Sequence, residues 1–246
     1  MPDTLSPSSG IGQPAPKGLA ARIVGVIFSP GETYQAIAAH PRILGVLAIT
    51  TILMAAAVFA FLSTDVGMNA SLDQQMQVME SLRLDLPDQV YDQIEARAPR
   101  ARYYTGISLL VMSPLICAIV AGVMLLIFNV VMGSDATFKQ AYAIVAHSQV
   151  LLVVQQLFIL PLNYVRETMA SGTTLAVFLP MLKETTFLAR FLGWIDLFRI
   201  WWLVSLAIGA AMLYKRKSGP IAWTLIGLYV LFALVVATAL TIWTGA

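Results

Sequence analysis

The sequence predicts an all-α fold, a polytopic membrane helix bundle, and three observations predict it. Of the 246 residues, 59% are hydrophobic and only 11% are charged. A soluble domain carries about 25% charged residues, so these charges are too few to cover a globular surface. Five apolar stretches, at about 43–62, 105–132, 141–162, 194–214 and 221–243, are each long enough for a bilayer core, which takes about 20 residues at ~1.5 Å rise. Aromatic residues mark their ends, at Tyr103, Tyr104, Tyr164, Trp194, Tyr214, Trp223 and Trp243, where amphipathic rings favour the headgroup layer.

Residues 1–17 are rich in Pro, Ser and Gly without an apolar core, and read as a disordered tail rather than a signal peptide. Residues 18–246 form the bundle domain. Leu19, Ile23, Val26 and Ile27 share a helical face near Lys17 and Arg22, which suits a short helix in the interface. Ser29-Pro30-Gly31-Glu32 starts the next helix, with Pro30 at its first position and Ser29 and Glu32 placed for a capping box. That helix stops before His40-Pro41, because the residue ahead of a proline avoids helical dihedrals.

After the first span, residues 63–104 form an amphipathic segment expected outside the cytoplasm. Leu72, Met76, Met79, Leu82, Leu86, Val90 and Ile94 recur at helical intervals with Pro87 interrupting them. Two helices, at about 71–83 and 87–96, follow from that pattern. Pro114 falls in the second span and Pro161 near the end of the third, where each kinks or terminates its helix. The apolar run 173–182 is too short to cross and contains Pro180, so it reads as interfacial or re-entrant.

Two groups of polar residues fall in or beside the spans. Asp196 and Arg199 stand one helical turn apart, spaced to pair on the face of the fourth span. The competing reading has them bridge to another helix or hold a lipid phosphate. His147, Gln149, Gln155 and Gln156 lie in the third span. Such groups ordinarily hydrogen-bond across helices and hold a bundle together, and the alternative is a polar pathway for an ion or small solute.

Other classes are disfavoured. HExxH, GxSxG, P-loop and Rossmann patterns are missing, as is an EF-hand spacing in the acid-rich segment, so neither catalysis nor a cofactor or metal is expected. A net charge of +2 gives no case for nucleic acid. Cys117 is the single cysteine and forms no intramolecular disulfide. Basic residues divide evenly between the two sides, but Lys215-Arg216-Lys217 in a short turn favours a cytoplasmic N-terminus and an outer C-terminus.

Three stretches carry a family resemblance. They are RIVGVIFSPGETYQAIAAHP from Arg22 to Pro41, GSDATFKQAYAIVAHS from Gly133 to Ser148, and DLFRIWWLVSLAIG from Asp196 to Gly209. In order and spacing the chain resembles the Yip-domain (Ypt-interacting protein) family, and its short region before the first span resembles the bacterial branch. Bacterial relatives often carry a proline early in the third span, where this chain has His147-Ser148-Gln149. The resemblance implies a non-enzymatic protein of the bacterial inner membrane. It would act as a scaffold or adaptor, with membrane lipids, other membrane proteins or further copies of itself as partners. The vesicle-trafficking role of eukaryotic members does not carry over. The alternative function is a small-solute or ion transporter or permease subunit built around the third-span amides and Asp196.

Overall fold

The computed structural model describes residues 18–82, 87–131, 133–183 and 185–244. The tail 1–17 therefore lies outside the described residues, as do Leu86 and the neighbouring Arg83. The chain runs through α1 (Leu19–Phe28), α2 (Pro30–Ala39), α3 (Leu44–Leu62), α4 (Asp65–Ser81), α5 (Asp88–Leu125), α6 (Phe138–Arg166), α7 (Phe187–Trp194), α8 (Leu197–Tyr214) and α9 (Ser218–Thr244). α5 passes into a π-helical stretch, Leu126–Val131, and a 3-10 turn spans Leu175–Phe178. Five of these helices, α3, α5 with its extension, α6, α8 and α9, are long and apolar enough to cross a membrane. The only β pairing among the described residues is the isolated bridge between Thr174 and Asp196.

The bundle is built around α6. Its start is set by a full capping box: Thr137 Oγ1 accepts from the Gln140 amide at 3.3 Å, and Gln140 Oε1 accepts from the Thr137 amide at 2.9 Å. From Ala143 to Leu151 every residue is buried, so this helix has no lipid face there. α1, α2, α3, α5 and α8 all pack on it. α9 is the outermost span, packed against α8 and α7. Most of its large side chains are exposed, which is expected of a surface whose solvent is lipid.

α1 and α2 form a helical hairpin set into one end of the bundle. Of the face expected in the interface, Val26 is buried while Leu19 remains exposed, and Arg22 is 1% exposed, its Nη1 donating to the His40 carbonyl at 3.0 Å. α2 buries Thr33, Tyr34, Ala36 and Ile37. Ser29 gives no side-chain cap, so its half of the expected capping box is not made. Tyr34 reaches the middle of α8, where its hydroxyl lies 2.8 Å from Ser205 Oγ. Burial pushes the Tyr34 hydroxyl above its ordinary range, against a smaller opposing pull from Ser205. It therefore stays a neutral phenol. Tyr34→Phe is expected to lower stability by about 0.5–1.5 kcal/mol, read as a shift in the unfolding midpoint in detergent.

Three expected elements differ from the observed ones. The helix expected at about 71–83 is α4, which starts earlier at Asp65 because Thr64 caps it, its Oγ1 accepting from the Gly67 amide at 3.0 Å. Residues 87–96, expected as a separate helix, are the first turns of α5, which continues unbroken through Pro99 into the second span. The intervening Ala96, Arg97, Ala98, Arg100, Ala101 and Arg102 are good helix formers. Ala98 is buried and α5 packs on α3 and α4, so burial of the helix works against the ~3 kcal/mol that an internal proline costs. The fourth span begins at Leu197 rather than at 194, because Trp194 closes α7 and Ile195 is extended. The run 173–182 contains the 3-10 turn, half-buried at Leu175 and Ala176, with Phe178 and Met181 on the surface.

Candidate functional site at the head of α8

Asp196 is the N-cap of α8. Its Oδ1 accepts from the amides of Phe198 at 2.8 Å and Arg199 at 3.2 Å, which fills two of the donor positions that every helix start leaves open. The same Oδ1 accepts from Gln155 Nε2 of α6 at 3.0 Å. Oδ2 accepts from Ser171 Oγ at 3.0 Å and Thr173 Oγ1 at 2.6 Å. Backbone bonds fix the same junction, from the Leu175 amide to the Ile195 carbonyl at 2.9 Å and from the Leu197 amide to the Thr173 carbonyl at 3.2 Å. One buried carboxylate thus ties α6, the loop after it and the start of α8 together.

The side-chain ion pair expected between Asp196 and Arg199 is not formed. Arg199 meets Asp196 through its backbone amide, because an N-cap side chain turns back over the helix start rather than along its face. Asp196 is accordingly outside the span, at its end and about 27 Å along the helix from Tyr214. The Arg199 guanidinium is exposed and lines a cavity of about 630 Å³ together with Gln155, Gln156, Asn163, Asp196 and Tyr229. Tyr229 of α9 closes one side by donating its hydroxyl to the Trp194 carbonyl. The Asn163 Oδ1 is buried and finds no partner among the described residues.

The other two candidates lie elsewhere. His147 Nδ1 donates to the Ala143 carbonyl on its own helix at 2.7 Å, and its Nε2 is buried without a partner among the described residues. Gln149 Nε2 donates to Cys117 Sγ of α5 at 3.2 Å. Between these two, Ser148 Oγ accepts from Trp202 Nε1 of α8 at 2.9 Å. The six candidates therefore divide. Gln155, Gln156, Asp196 and Arg199 share the cavity, while His147 and Gln149 belong to the packed centre. α6 continues as a regular helix through His147-Ser148-Gln149.

Ser171, Thr173, Asn163 and Tyr229 are site residues that sequence periodicity did not reveal. Ser171 and Thr173 are in a loop, where no repeat operates. Only the run Ser171-Gly172-Thr173-Thr174 after a long apolar helix hinted at a cluster of hydroxyl donors. Chemically, the arrangement is a structural latch beside a polar cavity. Asp196 already accepts from five donors, which leaves it poorly placed to act as a base or metal ligand. Among the described residues no group of three or more metal-ligating side chains occurs.

This architecture defines a polytopic integral membrane protein of helical-bundle type. Residues 24–240 match the Yip1 domain family model, and the chain belongs to that family. No curated protein and no solved structure matches it.

Proposed function

We propose that the chain is a membrane-embedded scaffold or adaptor without catalytic activity. It sits in a bacterial inner membrane with its N-terminus cytoplasmic and its C-terminus outside, and it holds other membrane proteins or further copies of itself. The observation that carries this reading is the closed centre of the bundle. From Ala143 to Leu151 α6 is buried on all sides, and Ala143, Val145, Cys117 and Trp202 engage His147 Nδ1, Ser148 and Gln149, while His147 Nε2 finds no partner among the described residues. A solute crossing here would have to break that packing. The orientation rests on the turn Lys215-Arg216-Lys217, since basic short loops stay on the cytoplasmic side.

One observation favours a transporter subunit instead. The cavity beside Asp196 reaches Gln155 and could serve as an entrance. Solute flux into liposomes holding the purified protein separates the two readings. Flux no greater than in empty vesicles, with discrete higher-mass adducts after crosslinking in native membranes, is expected. Saturable flux that Gln155→Leu abolishes would overturn the scaffold reading.

A further inference from the structure

A second cavity lies at the opposite end of the bundle, and its chemistry differs. It is a groove of about 460 Å³ between α5 and α9, floored by α8. Val123 and Ile127 form one wall, Leu225 and Leu228 the other, and Leu206 and Ala210 the floor. Charge enters the lining only through Arg216 and Lys217. Along α9 the groove runs from Pro220 to Leu228, about 12 Å of helix.

The charged end is held in place by the backbone. Lys215 takes a left-handed conformation, φ 52°, as the C-cap of α8, and the Arg216 amide donates back to the Ala211 carbonyl at 3.0 Å. These bonds close the helix end and fix the stem of Arg216 at the groove. Phe128, part of the lining, stacks on Tyr214 with centroids 4.1 Å apart, which stiffens the same end. Adjacent to the basic pair, α9 starts Ser218-Gly219-Pro220, so its first turn offers the Ser218 and Gly219 amides, which lack intrahelical acceptors, while Pro220 has no N–H.

We propose that this groove binds an anionic phospholipid, with one acyl chain between α5 and α9 and the phosphate on Arg216, Lys217 and the first turn of α9. Charge complementarity selects this occupant. A partner helix would fill the apolar walls but would leave two cations at one end unanswered. A zwitterionic lipid offers them no net charge. Basic side chains at a membrane surface each strengthen binding to anionic lipid by about fivefold, so the pair discriminates by about 25-fold. Lipid binding at this groove is independent of whether the protein acts as a scaffold or a transporter.

Native mass spectrometry of the full chain in detergent, titrated with phosphatidylglycerol or phosphatidylcholine, tests it. Phosphatidylglycerol is expected to stay bound through detergent removal where phosphatidylcholine does not. Arg216→Gln with Lys217→Gln should weaken phosphatidylglycerol about 25-fold and leave phosphatidylcholine unchanged. Val123→Trp, on an exposed wall position, should block the chain while Arg216 and Lys217 remain, with circular dichroism confirming the fold. Three outcomes would overturn the proposal: equal retention of both lipids, displacement of phosphatidylglycerol by millimolar inorganic phosphate alone, or a Val123→Trp variant that loses a dimer rather than a lipid.

Discussion

Asp196→Ala is expected to lower stability by about 3 kcal/mol, while Asp196→Asn should lower it by about 1 kcal/mol. The alanine variant strands five donors, on Gln155, Ser171, Thr173, Phe198 and Arg199. A lost cap alone costs about 1 kcal/mol, and each buried donor left unsatisfied adds about 1–3 kcal/mol. The neighbouring cavity admits water to part of the network, which holds the total below the simple sum. Asparagine keeps a cap oxygen for the two amides and for Gln155. Its amide nitrogen would face Ser171 and Thr173, whose hydroxyls can turn and accept. Arg199→Gln should stay within about 0.5 kcal/mol of wild type, as exposed changes away from a special contact do. Unfolding in mixed micelles measures all three variants. Equal losses for Asn and Ala would show that acceptor count is not what holds this junction. A loss for Arg199→Gln matching that for Asp196→Ala would restore the side-chain ion pair. Exchanging the two charges offers no rescue, because arginine at 196 has no acceptor for the five donors and a carboxylate at 199, in the first turn of α8, does not stand at the N-cap.

The bundle was legible in the sequence because span formation is local. Twenty apolar residues without charge satisfy their own backbone only as a helix, so each of the five membrane helices could be found from its own stretch of chain. Family membership was legible for the same reason, being carried by contiguous blocks around Pro30, Ala141 and Arg199. The site was only half legible. Gln155 and Asp196 stood out because polar groups near lipid need a reason, but their contact depends on the antiparallel packing of α6 and α8. Asp196 and Arg199 looked like a pair because spacing on a helix face is a local rule. The rule fails when the helix starts at Leu197, just past Asp196, and the deciding feature, the bridge between Thr174 and Asp196, joins residues far apart in sequence. The buried hairpin of α1 and α2 was missed for a related reason. Arg22 reads as a surface residue until His40, 18 positions on, supplies a carbonyl for it.

The packing of that hairpin gives the second large effect. Gly209→Ala is expected to lower stability by about 2 kcal/mol, although alanine in place of glycine ordinarily gains up to about 1 kcal/mol in a helix. A Cβ at 209 would stand 2.5 Å from Ile144 Cγ2 and 3.2 and 3.3 Å from the ring of Tyr34. Neither neighbour yields easily. Ile144 is fully buried in α6 and, being β-branched, has one strongly preferred helical rotamer. Tyr34 is fully buried and held by Ser205 at 2.8 Å. Overpacking therefore outweighs the propensity gain. Ile144→Leu conserves volume while removing the branch at Cβ, and alone should cost under about 1.5 kcal/mol. Combined with Gly209→Ala it should recover at least about 1 kcal/mol relative to the sum of the single variants, the coupling expected of side chains in direct contact. Additive losses would mean that α6 and α8 are not in contact through this pair. Hydrogen exchange distinguishes which neighbour gives way in the single variant. Faster exchange confined to α2 and α1 would place the strain on Tyr34 and show the hairpin to be the softer partner. Faster exchange around Ile144 would place it on the central helix, against the expectation that a span packed on all sides opens last.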